Sequence, residues 1–114
     1  MWIFTSKAFL SVVEHPTEGD LLWVRARFPG HIEQAFPEVT VSETPEFDYR
    51  YRAAVGRDAM ARYLAREAHE IRYANFKQSI GENFYHDACL SVWTEMFIWS
   101  KKLVGILRPM RKAA

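Results

Sequence analysis

The run LLWVRARF, from Leu21 to Phe28, limits the fold of this chain more than any other stretch. Its residues alternate, so that Leu22, Val24, Ala26 and Phe28 project to one face and Leu21, Trp23, Arg25 and Arg27 to the other. That is the period of a strand with one side against a core. Pro16-Thr17-Glu18-Gly19-Asp20 supplies a turn before it, and Pro29-Gly30 ends it.

The segments around this strand supply its partners. Ala8 to His15, with Phe9, Leu10, Val12 and Val13, predicts a preceding strand. Ile32, Ala35 and Phe36 recur at helical spacing until Pro37 stops them, which predicts a short helix. Val39 and Val41 alternate with polar residues and predict a short strand. A second strand, FDYRYRAAV, places Phe47, Tyr49, Tyr51 and Ala53 toward the core, and Asp48, Arg50 and Arg52 away from it. The stripe Met60, Tyr63, Leu64, Glu67, Ala68 and Ile71 predicts an amphipathic helix from about Arg57 to Ile71. Ser79 and Glu82 have the spacing of a capping box ahead of a last helix from Asn83 to about Val104. The main stripe of that helix is Tyr85, Cys89, Val92, Met96, Trp99 and Leu103, and a second apolar flank includes Leu90, Trp93, Phe97 and Ile98. A helix this apolar is deeply buried or lies at an interface.

The order ββαββαα predicts an α+β fold, a two-layer sandwich of an antiparallel sheet with its helices on one face. With 114 residues, 49% of them hydrophobic, the chain is expected to form one domain over residues 1–107, followed by a frayed basic tail, RPMRKAA, over residues 108–114. Disorder is excluded for most of the length.

Cys89 is the only cysteine, which excludes an internal disulfide and a cysteine-based zinc site, and suits a reducing, cytoplasmic setting. His15, His31 and His69 have no metal-ligand spacing, so no metal and no cofactor is expected. The apolar opening is broken by Thr5, Ser6 and Lys7 and does not read as a signal peptide. The stretch from Ala88 to Leu107 contains Glu95, Lys101 and Lys102, which argues against a membrane span.

Three features are candidates for function. The first is the sheet face opposite the core, where Trp23, Arg25, Arg27, Arg50 and Arg52 would converge if the two strands adjoin. Such a face could grip an acidic protein surface or track a nucleic-acid backbone, unless Glu14, Glu43, Glu46 and Asp48 neutralise it. The second is a polarity of charge. Residues 1–49 carry a net −5 and residues 50–114 a net +6, with Arg57, Arg62, Arg66, Arg72 and Lys77 as a prospective basic ridge. The third is the last helix, whose aromatic residues cannot all face one way. Trp93 and Phe97 are expected to meet either a partner, including a second copy of the chain in a homodimer, or the preceding helix and the N-terminal Trp2, Ile3 and Phe4. His86 and Cys89, three apart with Asp87 between, are the one pairing that suggests nucleophilic chemistry, but Cys89 lies on the apolar stripe, where a thiol is inert. No phosphate loop, nucleophile elbow or carboxylate pair is present, so no catalytic residue and no enzyme is expected.

The stretches DLLWVRARFPGHIEQAFP, DYRYRAAV and YANFKQSI, followed by His86 and Val92-Trp93-Thr94-Glu95-Met96, resemble a family of short uncharacterised proteins of phages and bacterial mobile elements. The resemblance covers most of the chain and implies a stoichiometric, non-enzymatic binder that inhibits or modulates a host protein complex. Anti-CRISPR proteins, which block CRISPR effectors, are one such group. Many of them are acidic nucleic-acid mimics, whereas this chain has a net charge of +1, which favours direct binding to protein. The alternative is a nucleic-acid-binding module using the arginine face.

Overall fold

The fold is described by a computed structural model that covers the backbone of residues 1–113 and the side chains through Leu107. Two compact units emerge, Met1–Ala74 and Asn75–Ala114, and each is described by itself. The first contains β1 (Trp2–Phe4), β2 (Phe9–Glu14), β3 (Leu21–Ala26), α1 (His31–Ala35), β4 (Ser42–Glu43), β5 (Tyr51–Gly56) and α2 (Arg57–His69). The second contains a 3-10 turn at Lys77–Ser79 and the long helix α3 (Asn83–Ala113). The protein is α+β, with one antiparallel sheet in the order β1-β2-β3-β5-β4.

Alternation along β3 works as its sequence predicts. Leu22, Val24 and Ala26 join Leu10 and Val12 from β2 and Ala53 and Val55 from β5 on one face. Ile32 and Ala35 of α1, with Phe36, and Met60 and Tyr63 of α2 close over them. These α-helices and the sheet are the two layers of the first unit. Burial pushes the Tyr63 hydroxyl above its usual range, and the Thr5 side chain offsets part of this.

β1 is an element that the sequence reading did not include. Thr5, Ser6 and Lys7, read as an interruption, are the turn that lets Trp2–Phe4 pair with Phe9–Ser11. The Thr5 hydroxyl accepts hydrogen bonds from the Lys7 and Ala8 amides at 3.2 and 3.0 Å, a side-chain substitute for a backbone turn. The N-terminal ammonium also donates to the Val12 carbonyl at 2.8 Å. At the other end of the first hairpin, the Phe9 amide donates to His31 Nδ1 at 3.0 Å, which places that histidine as a cap on the start of β2.

The segment between α1 and α2 departs furthest from expectation. Strand β4 is only Ser42–Glu43, overlapping the expected alternation of Val39 and Val41 with Thr40 and Ser42 at one residue, and β5 begins at Tyr51 rather than Phe47. Thr44 is responsible. Its hydroxyl donates to the Tyr49 and Arg50 carbonyls, both at 3.1 Å, and its amide donates to the Arg50 carbonyl at 2.6 Å. Residues 44–50 are thereby clasped into a loop, with Pro45 unable to donate to a ladder. Phe47 and Tyr49 consequently do not share the core-facing side of Ala53. Phe47 is exposed, and Tyr49 packs on the arginine side of the sheet.

In the second unit, Glu82 rather than Ser79 caps the last helix. Its carboxylate accepts from the Phe84 amide at 2.9 Å and from the Tyr85 amide at 2.6 Å, satisfying two donors at the positive end of α3. The Ser79 hydroxyl instead donates to the Phe76 carbonyl at 2.5 Å. The helix runs past Gly105, beyond the expected end near Val104; the side chains of the tail expected over residues 108–114 lie outside the described residues.

Candidate functional site: a partly covered arginine face and an open apolar helix

Antiparallel pairing of β3 with β5 sets Arg25 directly opposite Arg52, and pairing of β2 with β3 sets Ser11 opposite Arg25. Like charges so placed repel, and the pair is tolerated only where other groups compensate. Here the compensation comes from the loop clasped by Thr44. The guanidinium groups of Arg25 and Arg27 each lie 4.5 Å from the centre of the Tyr49 ring, and that of Arg52 lies 4.8 Å from the Phe47 ring. Arg25 also donates to the Ser11 hydroxyl at 2.7 Å, and Arg52 lies 3.5 Å from the Asp48 carboxylate. Arg50 sits just outside the strand and pairs with Glu43 at 2.7 Å. The carboxylate raises the Arg50 pKa through that hydrogen bond and through its charge.

The sequence-predicted arginine face is therefore real in part. Arg25, Arg27 and Arg52 come together, Arg50 is drawn aside to Glu43, and Trp23 packs edge-on against His15 with 5.0 Å between ring centres. Tyr49 is only 4% exposed, and the Nε atoms of Arg25 and Arg52 are buried with no hydrogen-bond partner among the described residues. A ligand could reach those two Nε–H groups only by displacing the chain's own loop. Rings and carboxylates from within the chain thus cover Arg25 and Arg52, whereas Arg27 and Arg50 remain exposed.

The prospective basic ridge is likewise divided. Arg57 donates to the Gly19 carbonyl at 3.0 Å, and Arg72 donates to the carbonyls of His69 and Ile71 at 2.7 and 2.9 Å. Arg62 and Arg66 line a shallow cleft of about 330 Å³ floored by Ala35, Phe36 and Ala59. In the second unit, the Lys77 ammonium lies 4.4 Å from the Trp93 ring centre.

Helix α3 presents the opposite picture. Tyr85 and Cys89 are buried, but from Val92 onward the apolar side chains stand in the open. Trp93 and Phe97, one helical turn apart, stack with ring centres 5.3 Å apart and planes 13° from parallel. They remain 49% and 46% exposed. The Lys101 ammonium lies 5.2 Å from Phe97, and that of Lys102 lies 4.0 Å from Trp99, so cationic groups edge an aromatic ridge. Met96, Trp99 and Leu103 are 68%, 60% and 54% exposed, although their stripe position allowed them to be core. No helix among the described residues is long and apolar enough to cross a membrane.

His86 and Cys89 do not form an activated pair. The His86 ring faces Asp87 at 3.3 Å, and burial raises the Cys89 thiol above its usual range, opposite to the shift that a nucleophilic thiolate needs.

Fold and surface together define an α+β protein whose arginine-bearing sheet face is partly covered by its own loop and whose long helix carries an uncovered apolar ridge. No family model matches the chain, and neither the curated proteins nor the solved structures include a match to it.

Proposed function

We propose that this protein is a non-enzymatic binding protein that docks a protein partner through the Trp93–Phe97 ridge of α3. The observation that carries the reading is two stacked aromatic rings, each about half exposed, on a helix that also exposes Leu90, Met96 and Ile98. Contiguous aromatic surface of this kind is what buried interface anchors are made of, and monomeric proteins rarely leave it in water. A ridge edged by lysines suits a partner with an acidic rim around an apolar groove. Blocking a host complex by direct contact, the role implied by the resemblance to phage and mobile-element proteins, is the use of the ridge we favour.

The test is capture of a stoichiometric partner by the wild-type protein, compared with Trp93→Ala/Phe97→Ala and with Arg27→Ala. Capture should be lost with the helix variant and kept with the sheet variant. Equal capture by all three, or none by the wild type at low salt, would remove the ridge as the docking element.

A further inference from the structure

Two apolar seams run along α3, and the ridge uses only one. From Val92 the other repeats in steps of four and three residues through Met96, Trp99, Leu103 and Ile106, the heptad spacing that inserts knobs of one helix into holes of another. The seams are offset by one residue, about 100° around the helix, with Trp93 flanking the second seam and Phe97 farther round. Tyr85 and Cys89 continue the heptad toward the N-terminus but are already buried. The open part thus starts at Val92.

We infer that this second seam pairs with its counterpart in a second copy of the chain, as an antiparallel helix pair in which Met96 of each copy packs against Trp99 of the other. Three observations select a second copy and this register. First, the five seam residues from Val92 to Ile106 are between 38% and 68% exposed. The four of them that face one another in this register, Val92, Met96, Trp99 and Leu103, offer on the order of 450 Å² per copy, so two copies supply about 900 Å², and Glu95, Lys102 and other flanking side chains bring the contact toward the roughly 1,200 Å² at which stable interfaces begin. Second, the seam complements itself. In the antiparallel register Val92 meets Leu103, Met96 meets Trp99, and the same two layers recur on the other side of the two-fold axis.

Third, charge distinguishes the alternatives. Glu95 and Lys102 flank the seam on one side, and this register sets Glu95 of each copy opposite Lys102 of the other, twice by symmetry. Sliding by one heptad, so that Met96 meets Ile106, would place Lys102 against Lys102. A parallel pair would set Glu95 beside Ser100 and bring the Lys101-Lys102 pairs of both chains to one level. Only the antiparallel register with Met96 on Trp99 matches opposite charges and apolar layers together.

The pairing does not rest on the Trp93–Phe97 ridge, and its test can fail separately. Sedimentation equilibrium of the full chain, over a hundredfold range of concentration, should show a two-chain species. Met96→Glu and Leu103→Glu should each shift it to monomer with the helical circular dichroism retained, whereas Trp93→Ala/Phe97→Ala should remain paired. Glu95→Lys and Lys102→Glu should each weaken pairing by roughly tenfold, through two lost pairs and two new repulsions. Combining them should restore it to within a few-fold of wild type. A wild-type chain that stays monomeric throughout overturns the proposal, as does one that stays monomeric but sediments with phosphatidylcholine–phosphatidylglycerol vesicles, which would assign the seam to a membrane surface. A charge-swapped double variant as weak as the single ones overturns the register.

Discussion

Tyr49 shows how one residue can change the meaning of its neighbours. By alternation it belongs with Tyr51 and Ala53 on the core face, and by structure it lies under two guanidinium groups on the opposite side. The arginines were legible as a cluster because a two-residue spacing on adjoining strands leaves them few other places to go. Their cover was not, because it depends on the Thr44 hydroxyl capturing two carbonyls five and six residues away, an arrangement without a periodic signature. If the ring compensates the neighbouring Arg25 and Arg27, Tyr49→Ala should destabilise the protein by about 3 kcal/mol, since it opens a cavity and removes the ring face that both guanidinium groups contact. Tyr49→Phe keeps the ring face and should cost less than about 1 kcal/mol. Denaturant midpoints of the two variants check this; a Tyr49→Ala protein as stable as the Phe variant would show that the arginines are held by something other than the ring.

At the level of elements, the strands and helices with long regular patterns were readable, and the short ones depended on local chemistry. β3 and α2 lie within two residues of their expected bounds because their periodicity persists over several turns or pleats. β1 was hidden because a three-residue strand is too short to display a period, and its turn is made by a threonine side chain rather than by glycine or proline. The start of α1 illustrates a signal that was present. Gly30 opens the helix with φ of 84°, and nothing lies within 4 Å of where a Cβ would stand. The penalty for a side chain there is therefore backbone strain alone. Gly30→Ala should cost about 1–2 kcal/mol, and Gly30→Asn should cost less because asparagine tolerates the left-handed region. A thermal or denaturant series across glycine, asparagine and alanine reads the order directly, and equal stability of all three would mean that the loop relaxes out of the positive-φ conformation.

Across the whole molecule, the division of charge between the two halves of the sequence resolves differently in the two units. In the first, Glu43 and Asp48 from the acidic half meet Arg50 and Arg52 from the basic half, so part of the polarity is spent on pairing at the sheet face. In the second, Lys101 and Lys102 lie over aromatic rings and leave Glu95 the only acidic side chain between Val92 and Leu107. The apolar excess visible in the composition is concentrated on α3, where a stripe at helical spacing reads equally as core or as interface until exposure distinguishes them. Pairing of that stripe between copies makes the stability of α3 depend on protein concentration, because association and folding are then one equilibrium. Each tenfold dilution should remove about 0.7 kcal/mol per chain, half of the 1.4 kcal/mol that tenfold represents, since two chains share each association. Helix melting followed by far-ultraviolet circular dichroism should therefore move to lower temperature on dilution in the wild type. In Met96→Glu it should start lower and stay fixed. A wild-type transition that holds its temperature across the same dilutions would mean that α3 is stable without a second copy, and the exposed seam would need another occupant.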